Sequence, residues 1–134
     1  MFFADLNKVN MDDVEPLEIG GPVPGMKQTT IVKHLINEPC ANIGLEDFPG
    51  GTQLDWAFWH DEAHYVLEGK AELTYTLPPN HNRVKTVICE KGHVYLIMNG
   101  TRATWKVLSN EPYRHLCFIM PRYNFDKRLL RQEL

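Results

Sequence analysis

Three side chains that can move protons or bind a metal recur at every second position in one run of the chain. They are His60, Glu62 and His64. Side chains alternate along a β-strand, so residues of one parity lie on one face. A buried carboxylate or imidazole needs hydrogen bonds, an ion pair or a metal to offset the loss of water. The run therefore predicts an inward-facing site for acid/base chemistry or metal coordination.

Spacing limits how these side chains could share one ion. Neighbours of one parity lie about 7 Å apart, whereas His60 and His64 lie about 13 Å apart on a straight strand. Two of the three reach one metal easily, and all three do so only if the chain bends near Asp61. A bulge at that point would instead change the direction of His60. His115, on the last long strand, is a candidate for a further ligand.

Two alternatives follow for the cofactor. A mixed set of histidine and carboxylate suits one divalent metal, and Zn, Fe, Mn and Ni all fit it. Its predicted ligands are Glu62, His64 and His60. The other alternative is a metal-free pocket, in which Glu62 is held by a histidine and by tyrosine hydroxyls.

A carboxylate and an imidazole in an aromatic cavity have shifted pKa values that suit general acid/base catalysis. We expect Glu62 to transfer protons, with His64 and His60 as partners and Tyr75 orienting the substrate or donating a proton. The predicted substrate-binding residues are Trp56, Phe58, Tyr95, Trp105 and His115. For each aromatic residue the alternative is ordinary barrel core. Cys117 has the parity of His115 and is predicted to be core.

Short strands separated by turns must position these residues. In residues 70–77 apolar Ala71, Leu73 and Tyr75 alternate with polar side chains. Many short strands at regular spacing predict a β-sandwich or barrel. The predicted strands are 28–36, 41–47, 53–60, 62–68, 70–77, 84–89, 93–98, 102–108 and 113–120.

The chain length of 134 residues fits one domain, 1–134, with its barrel in 28–120. Proline and glycine are dense in residues 1–27, which predicts an extended arm that wraps the barrel or adds a strand to a partner. Residues 121–134 form a tail with a predicted short helix at 124–132. Its basic residues suit the last turn of a helix: Lys127, Arg128 and Arg131.

Composition excludes several classes of protein. The net charge is −3, and the chain has no basic run apart from its tail, so we expect no nucleic-acid partner. No apolar stretch approaches the roughly 20 residues of a membrane span, so we expect no membrane partner. The N-terminus lacks a signal-peptide pattern. Three cysteines without paired metal spacing, Cys40, Cys89 and Cys117, indicate reduced thiols in a cytoplasmic protein.

Several positions in residues 50–107 keep the spacing of the two signature motifs of the cupin family: Gly50, Glu62, Gly69, Gly92 and Gly100. Trp56, Phe58 and Ala103 stand where the family has its three histidine ligands, and only Glu62 of the usual metal set remains. The segment 100–107 is similar to the ethanolamine-utilisation cupins. The resemblance implies an all-β double-stranded β-helix, the cupin jelly-roll barrel, with a small-molecule site inside it.

We therefore predict a small-molecule enzyme that uses acid/base chemistry on a polar organic substrate. The reaction types are isomerase, dehydratase, cyclase or lyase. A dioxygenase is disfavoured because the family's three-histidine iron set is missing. The alternative is a non-catalytic ligand-binding or accessory cupin, such as a sensor or a metabolic scaffold. The resemblance also implies a homodimer.

Overall fold

β-Strands make up most of residues 1–120, the part of the chain that the computed structural model describes. Two short 3-10 turns, Leu6–Lys8 and Met11–Asp13, come first. The strands that follow are β1 (Leu17–Ile19), β2 (Gln28–Glu38), β3 (Ala41–Phe48), β4 (Gln53–Ala57), β5 (Glu62–Glu68), β6 (Lys70–Thr76), β7 (Lys85–Glu90), β8 (Val94–Ile97), β9 (Arg102–Val107) and β10 (Tyr113–Ile119).

These strands form two antiparallel sheets. One has the order β1-β2-β3-β10-β5-β8, and the other has the order β4-β9-β6-β7. The chain crosses repeatedly between the sheets, so strands that are far apart in sequence become neighbours. This is a jelly roll, and it confirms the predicted all-β fold class.

The predicted strands agree closely with the observed ones. The predicted alternation is seen in the first half of β6, where Ala71 and Leu73 are buried, whereas Thr74 to Leu77 are all half-buried. The largest difference is in the predicted strand 53–60. The observed β4 ends at Ala57, because the chain leaves that sheet there and crosses to the other.

Residues 1–27 have more local structure than an extended arm. The two 3-10 turns lie in this segment, and Met11 is buried. β1 pairs with β2 of the same chain, with Leu17 opposite Thr30. The predicted C-terminal helix at 124–132 lies outside the described residues. Within residues 1–120 no helix is long and apolar enough to cross a membrane.

Aromatic side chains fill the space between the sheets. Trp105 of β9 is almost fully buried. The ring of Phe48 lies 5.5 Å from it in an edge-on arrangement, and the ring of Phe58 lies 5.8 Å from it. Such edge-to-face pairs add about 0.5–1.5 kcal/mol each beyond the buried area. This packing forms one wall of the cavity described below.

At two of the motif positions, another backbone segment approaches so closely that only glycine fits. A Cβ atom on Gly50 would lie 2.0 Å from the carbonyl oxygen of Asn110. One on Gly69 would lie 2.4 Å from the carbonyl oxygen of Pro112, and Gly69 has a φ of +81°. Both positions therefore exclude side chains.

Candidate functional site

A cavity of about 200 Å³ opens between the two sheets. Its wall is largely apolar and aromatic, with a group of polar side chains on one side. The polar side chains that line it are Thr30, His34, Asn42, Glu46, His60, Glu62 and His64. An apolar cavity with a few convergent polar groups is typical of a small-molecule site.

The segment between β4 and β5 brings His60 into this cavity. It joins the four-stranded sheet to the six-stranded sheet. The backbone of Phe58 is fixed by two hydrogen bonds of 2.9 Å, one from its N–H to the carbonyl of Thr101 and one from Gly100 N–H to its carbonyl. The side chain of Asp61 accepts a hydrogen bond of 2.8 Å from the backbone N–H of Asn99. The chain therefore bends near Asp61, as a joint site for His60, Glu62 and His64 requires.

The carboxylate of Glu62 lies between two imidazoles. His60 Nε2 lies 2.7 Å from Oε2, and His64 Nε2 lies 2.8 Å from Oε1. Burial raises the pKa of Glu62, but the hydrogen bonds from His60 and His64 outweigh burial and hold this pKa well below its usual value. Glu62 is therefore an ionised acceptor for both rings.

His64 is held in turn by a network of aromatic side chains. Its Nδ1 lies 3.0 Å from the hydroxyl of Tyr95. That hydroxyl accepts a hydrogen bond of 3.1 Å from Trp105 Nε1 and lies 2.8 Å from the hydroxyl of Tyr113. Burial, and after it the nearby charge of His115, lower the pKa of His64. The ring of His64 is thus locked in place by contacts at both nitrogens.

A second acid lies on the same cavity wall. Glu46 of β3 has its Oε1 3.2 Å from His115 Nε2, and its Oε2 accepts a hydrogen bond of 2.7 Å from Thr30. The thiol of Cys117 lies 3.5 Å from Glu46 Oε1. Burial raises the pKa of Glu46, but the contacts with His115 and Thr30 outweigh it and lower this pKa overall. The cavity therefore holds two ionised carboxylates.

Strand register explains why these residues meet. His64 of β5 is opposite Cys117 of β10 on one side and opposite Tyr95 of β8 on the other. His115 of β10 is opposite Glu46 of β3. Directly opposed side chains on one face lie about 4.5–5.5 Å apart at Cβ, close enough for contact.

Comparison with known proteins gives matches in structure alone. No protein-family model matches the sequence, and no curated protein matches it. KdgF from Halomonas sp. is 17% identical, with a TM-score of 0.62 over 90% of this chain and 93% of that chain. EutQ from Clostridium difficile is 18% identical, with a TM-score of 0.59 over 90% of this chain and 93% of that chain. The cupin domain of Cnp3 from Schizosaccharomyces pombe is 16% identical, with a TM-score of 0.57 over 87% of this chain and 93% of that chain.

The chain has the cupin fold. The fold that the sequence resemblance implied is confirmed, and EutQ proteins are among the structures that share it. At such low identity the shared fold carries no reaction from these proteins to this chain.

The residues at the motif positions of this chain do not fit a metal. Trp56 and Phe58 line the cavity with an indole and a phenyl ring, and Ala103 faces Trp56 across the β4–β9 pair with a methyl group. None of these groups is a metal ligand, so Glu62 stands alone at the family's site.

The structure gathers most of the predicted site residues. Trp56, Phe58 and Trp105 line the cavity together with His60, Glu62 and His64. His115 is fully buried beside His64. Tyr95 contacts His64 through its hydroxyl but lines the second cavity described next, and neither Tyr95 nor His115 is among the residues that line this cavity.

Tyr75 lies elsewhere. It lines a second cavity, of about 430 Å³, with residues of β7 and β8. Tyr75 has the parity that the sequence predicted. However, β6 pairs it with Ala103 of β9 and Lys85 of β7, away from β5. No contact joins it to Glu62 among the described residues, so its predicted catalytic role has no geometric support.

Sequence reasoning missed Glu46 and Thr30. The available signal was alternation in β3, where Asn42, Gly44, Glu46 and Phe48 share the face that lines the cavity. A charged residue with the same parity as Phe48 was visible in the sequence. Its partner was not, because pairing of β3 with β10 joins residues far apart in the chain.

Proposed function

We propose that this cupin is a small-molecule enzyme that performs acid/base chemistry on a polar organic substrate in its cavity. The observation that carries the proposal is the position of Glu62, an ionised carboxylate between His60 and His64 on the wall of an aromatic cavity. Isomerase, dehydratase, cyclase and lyase reactions can all use such a proton transfer.

Glu62 would be the proton-transferring residue. Each of its oxygens is engaged by one imidazole, and a carboxylate has further lone pairs that can accept a proton from a substrate. His60 and His64 would hold the carboxylate in place and balance the change in its charge. Trp56, Phe58 and Trp105 would form the apolar wall against which the substrate lies.

A second candidate is a non-catalytic ligand-binding cupin. The hydrogen bonds from His60 and His64 that fix Glu62 also lower its pKa, which weakens it as a base. A fixed carboxylate of this kind suits recognition of a hydroxyl or an ammonium group equally well.

Proton exchange with solvent separates the two candidates. Saturation-transfer NMR with hydroxy ketones, keto acids, polyols and amino alcohols would first find compounds that bind the cavity. These compounds would then be incubated with the protein in D₂O, and proton NMR would follow deuterium uptake and product formation. We expect exchange or conversion of at least one bound compound. A bound compound that stays unchanged at enzyme excess supports the binding role and contradicts catalysis.

We also propose that the protein is a homodimer. β1 is the outer strand of the six-stranded sheet, and an outer strand leaves backbone groups free to pair. Large apolar side chains of the N-terminal segment are exposed, and Leu17 lies on β1 itself: Phe2, Phe3, Leu17 and Val23. A partner subunit would cover both features.

A further inference from the structure

We propose that His64, His115 and Cys117 form a binding site for one divalent transition metal, and that Zn²⁺ suits these donors. The ligand atoms of the three side chains all lie within 4.8 Å of one another. The site is built on β5 and β10, away from the motif positions of Trp56 and Ala103. The inference concerns the same cavity as the proposed function but does not rest on it.

The register of two strands creates this cluster. His64 is directly opposite Cys117, and His115 lies two residues before Cys117 on the same face of β10. All three side chains are buried. A nitrogen, nitrogen, sulfur set closed off from bulk water is a donor set that zinc takes in proteins, whereas magnesium and calcium take oxygen.

One tautomer of His115 presents a free nitrogen to a metal. With its hydrogen at Nδ1 the ring donates to the backbone carbonyl of Tyr113, 3.4 Å away. The lone pair of Nε2 is then free on the side of Glu46 Oε1, which lies 3.2 Å away. In the other tautomer Nε2 donates to Glu46, and a metal would take the place of that hydrogen. A carbonyl partner at the far nitrogen is the usual outer contact of a metal-bound histidine.

His64 can adopt the same state. Its Nδ1 can donate to the hydroxyl oxygen of Tyr95, which leaves Nε2 free to bind a metal. The Tyr95 hydroxyl can then donate to Tyr113 while it accepts from Trp105. The hydrogen bonds among Tyr95, Tyr113 and Trp105 stay satisfied in the metal-bound state, while the bond from His64 Nε2 to the metal replaces its hydrogen bond to Glu62.

The charges around the cluster suit a divalent cation. Without a metal, the Cys117 thiol faces Glu46 Oε1 at 3.5 Å. Metal binding replaces the thiol proton, and the thiolate then lies near the carboxylates of Glu46 and Glu62 on the wall of the same cavity. A divalent ion that binds one thiolate keeps one positive charge to face the two carboxylates. Either carboxylate can complete a four-coordinate site, because Glu62 Oε1 lies 2.8 Å from His64 Nε2 and Glu46 Oε1 lies 3.2 Å from His115 Nε2.

Cobalt substitution tests the site without a substrate. The full chain, reduced and stripped with a chelator, would be titrated with Co²⁺ and followed by absorption spectroscopy. We expect one Co²⁺ per chain with a thiolate-to-cobalt charge-transfer band, and displacement of Co²⁺ by Zn²⁺. Cys117→Ser should abolish that band, whereas the matched control Cys89→Ser, at a buried cysteine outside the cluster, should keep it. Absence of stoichiometric Co²⁺ binding, or the same band in Cys117→Ser, would overturn the proposal.

If Cys117→Ser does not fold, its lack of a cobalt band says nothing about the site. Circular dichroism would therefore check the fold of each variant, and two further variants test the site independently. Tyr95→Phe should weaken Zn²⁺ binding roughly 10-fold, and His115→Gln should weaken it by more than about 100-fold, because it removes a ligand rather than an outer contact. Unchanged Zn²⁺ affinity in His115→Gln would overturn the proposal. A negative metal result leaves the deuterium-exchange result standing, and a negative exchange result leaves metal binding standing, so the two proposals fail separately.

Discussion

His64 and His115 lie against each other on neighbouring strands, with ring centroids 4.4 Å apart and ring planes inclined by 32°. Each ring contacts a different buried carboxylate, His64 with Glu62 and His115 with Glu46. Two acid–imidazole pairs therefore lie side by side at the cavity wall, in contact through their histidine rings. The sequence motif shows one of these pairs, and the second doubles the negative charge that a bound ligand or metal would meet.

Glu62→Gln should abolish proton exchange with little change in the shape of the cavity. The amide cannot take up a substrate proton, and it can accept an N–H from only one of its two imidazole neighbours. We expect the rate of deuterium exchange into a bound compound to fall by about 10²–10⁴-fold. Glu90→Gln, at an exposed residue of β7, is the control and should exchange at the wild-type rate. Equal rates in Glu62→Gln and wild type would rule out Glu62 as the proton-transferring residue.

Tyr95→Phe should destabilise the protein through the polar groups that it leaves without a partner. His64, Tyr113 and Trp105 all hydrogen-bond to the Tyr95 hydroxyl inside the barrel. We expect the free energy of unfolding to fall by about 1–3 kcal/mol in a urea titration. Tyr65→Phe, on the exposed face of β5, should change it by less than about 0.5 kcal/mol. Equal stabilities of the two variants would show that the network adds nothing.

Arg114→Met should destabilise the six-stranded sheet. Arg114 binds the buried carboxylate of Asp47 through two hydrogen bonds of 2.8 and 2.9 Å. Its loss leaves a buried charge without compensation, and because Arg114 is partly exposed we expect a cost of about 3 kcal/mol, at the low end for such pairs. Arg102→Met, at an exposed position of β9, is the control. The double variant with Asp47→Asn should recover part of the loss, and no recovery would contradict the ion-pair explanation.

Thiol reactivity should distinguish the cysteines. Cys40 is exposed, whereas Cys89 and Cys117 are buried. Burial raises the pKa of both buried thiols, and the charge of Glu46 raises that of Cys117 further. A raised pKa leaves less thiolate at neutral pH, so an aromatic disulfide reagent should react fast with Cys40 alone. Cys40→Ser should remove the fast phase, and a fast phase that remains in this variant would contradict the burial of the other two.

Deletion of residues 1–25 should convert the proposed dimer to a monomer or an aggregate. It removes β1 and uncovers the edge of β2. Size-exclusion chromatography with light scattering would measure the mass of both forms. A full chain that is monomeric would refute the homodimer, and a shortened chain that stays dimeric would place the interface elsewhere.

The sequence by itself determined the faces of the strands. Alternation in the first half of β6 and the shared parity of Glu62 and His64 depend on local geometry, and both agree with the structure. The break in the predicted strand 53–60 was not visible, because a change of sheet depends on the rest of the fold.

Tertiary structure decided which of those faces meet. Pairing of β10 with β3 and β5 brings Glu46 to His115 and Cys117 to His64, and the place of β6 in the other sheet keeps Tyr75 away from Glu62. The physical reason is that alternation fixes only the side of a strand on which a residue lies. Its neighbours across the sheet are set by strand order and register, and these follow from the burial of the whole core.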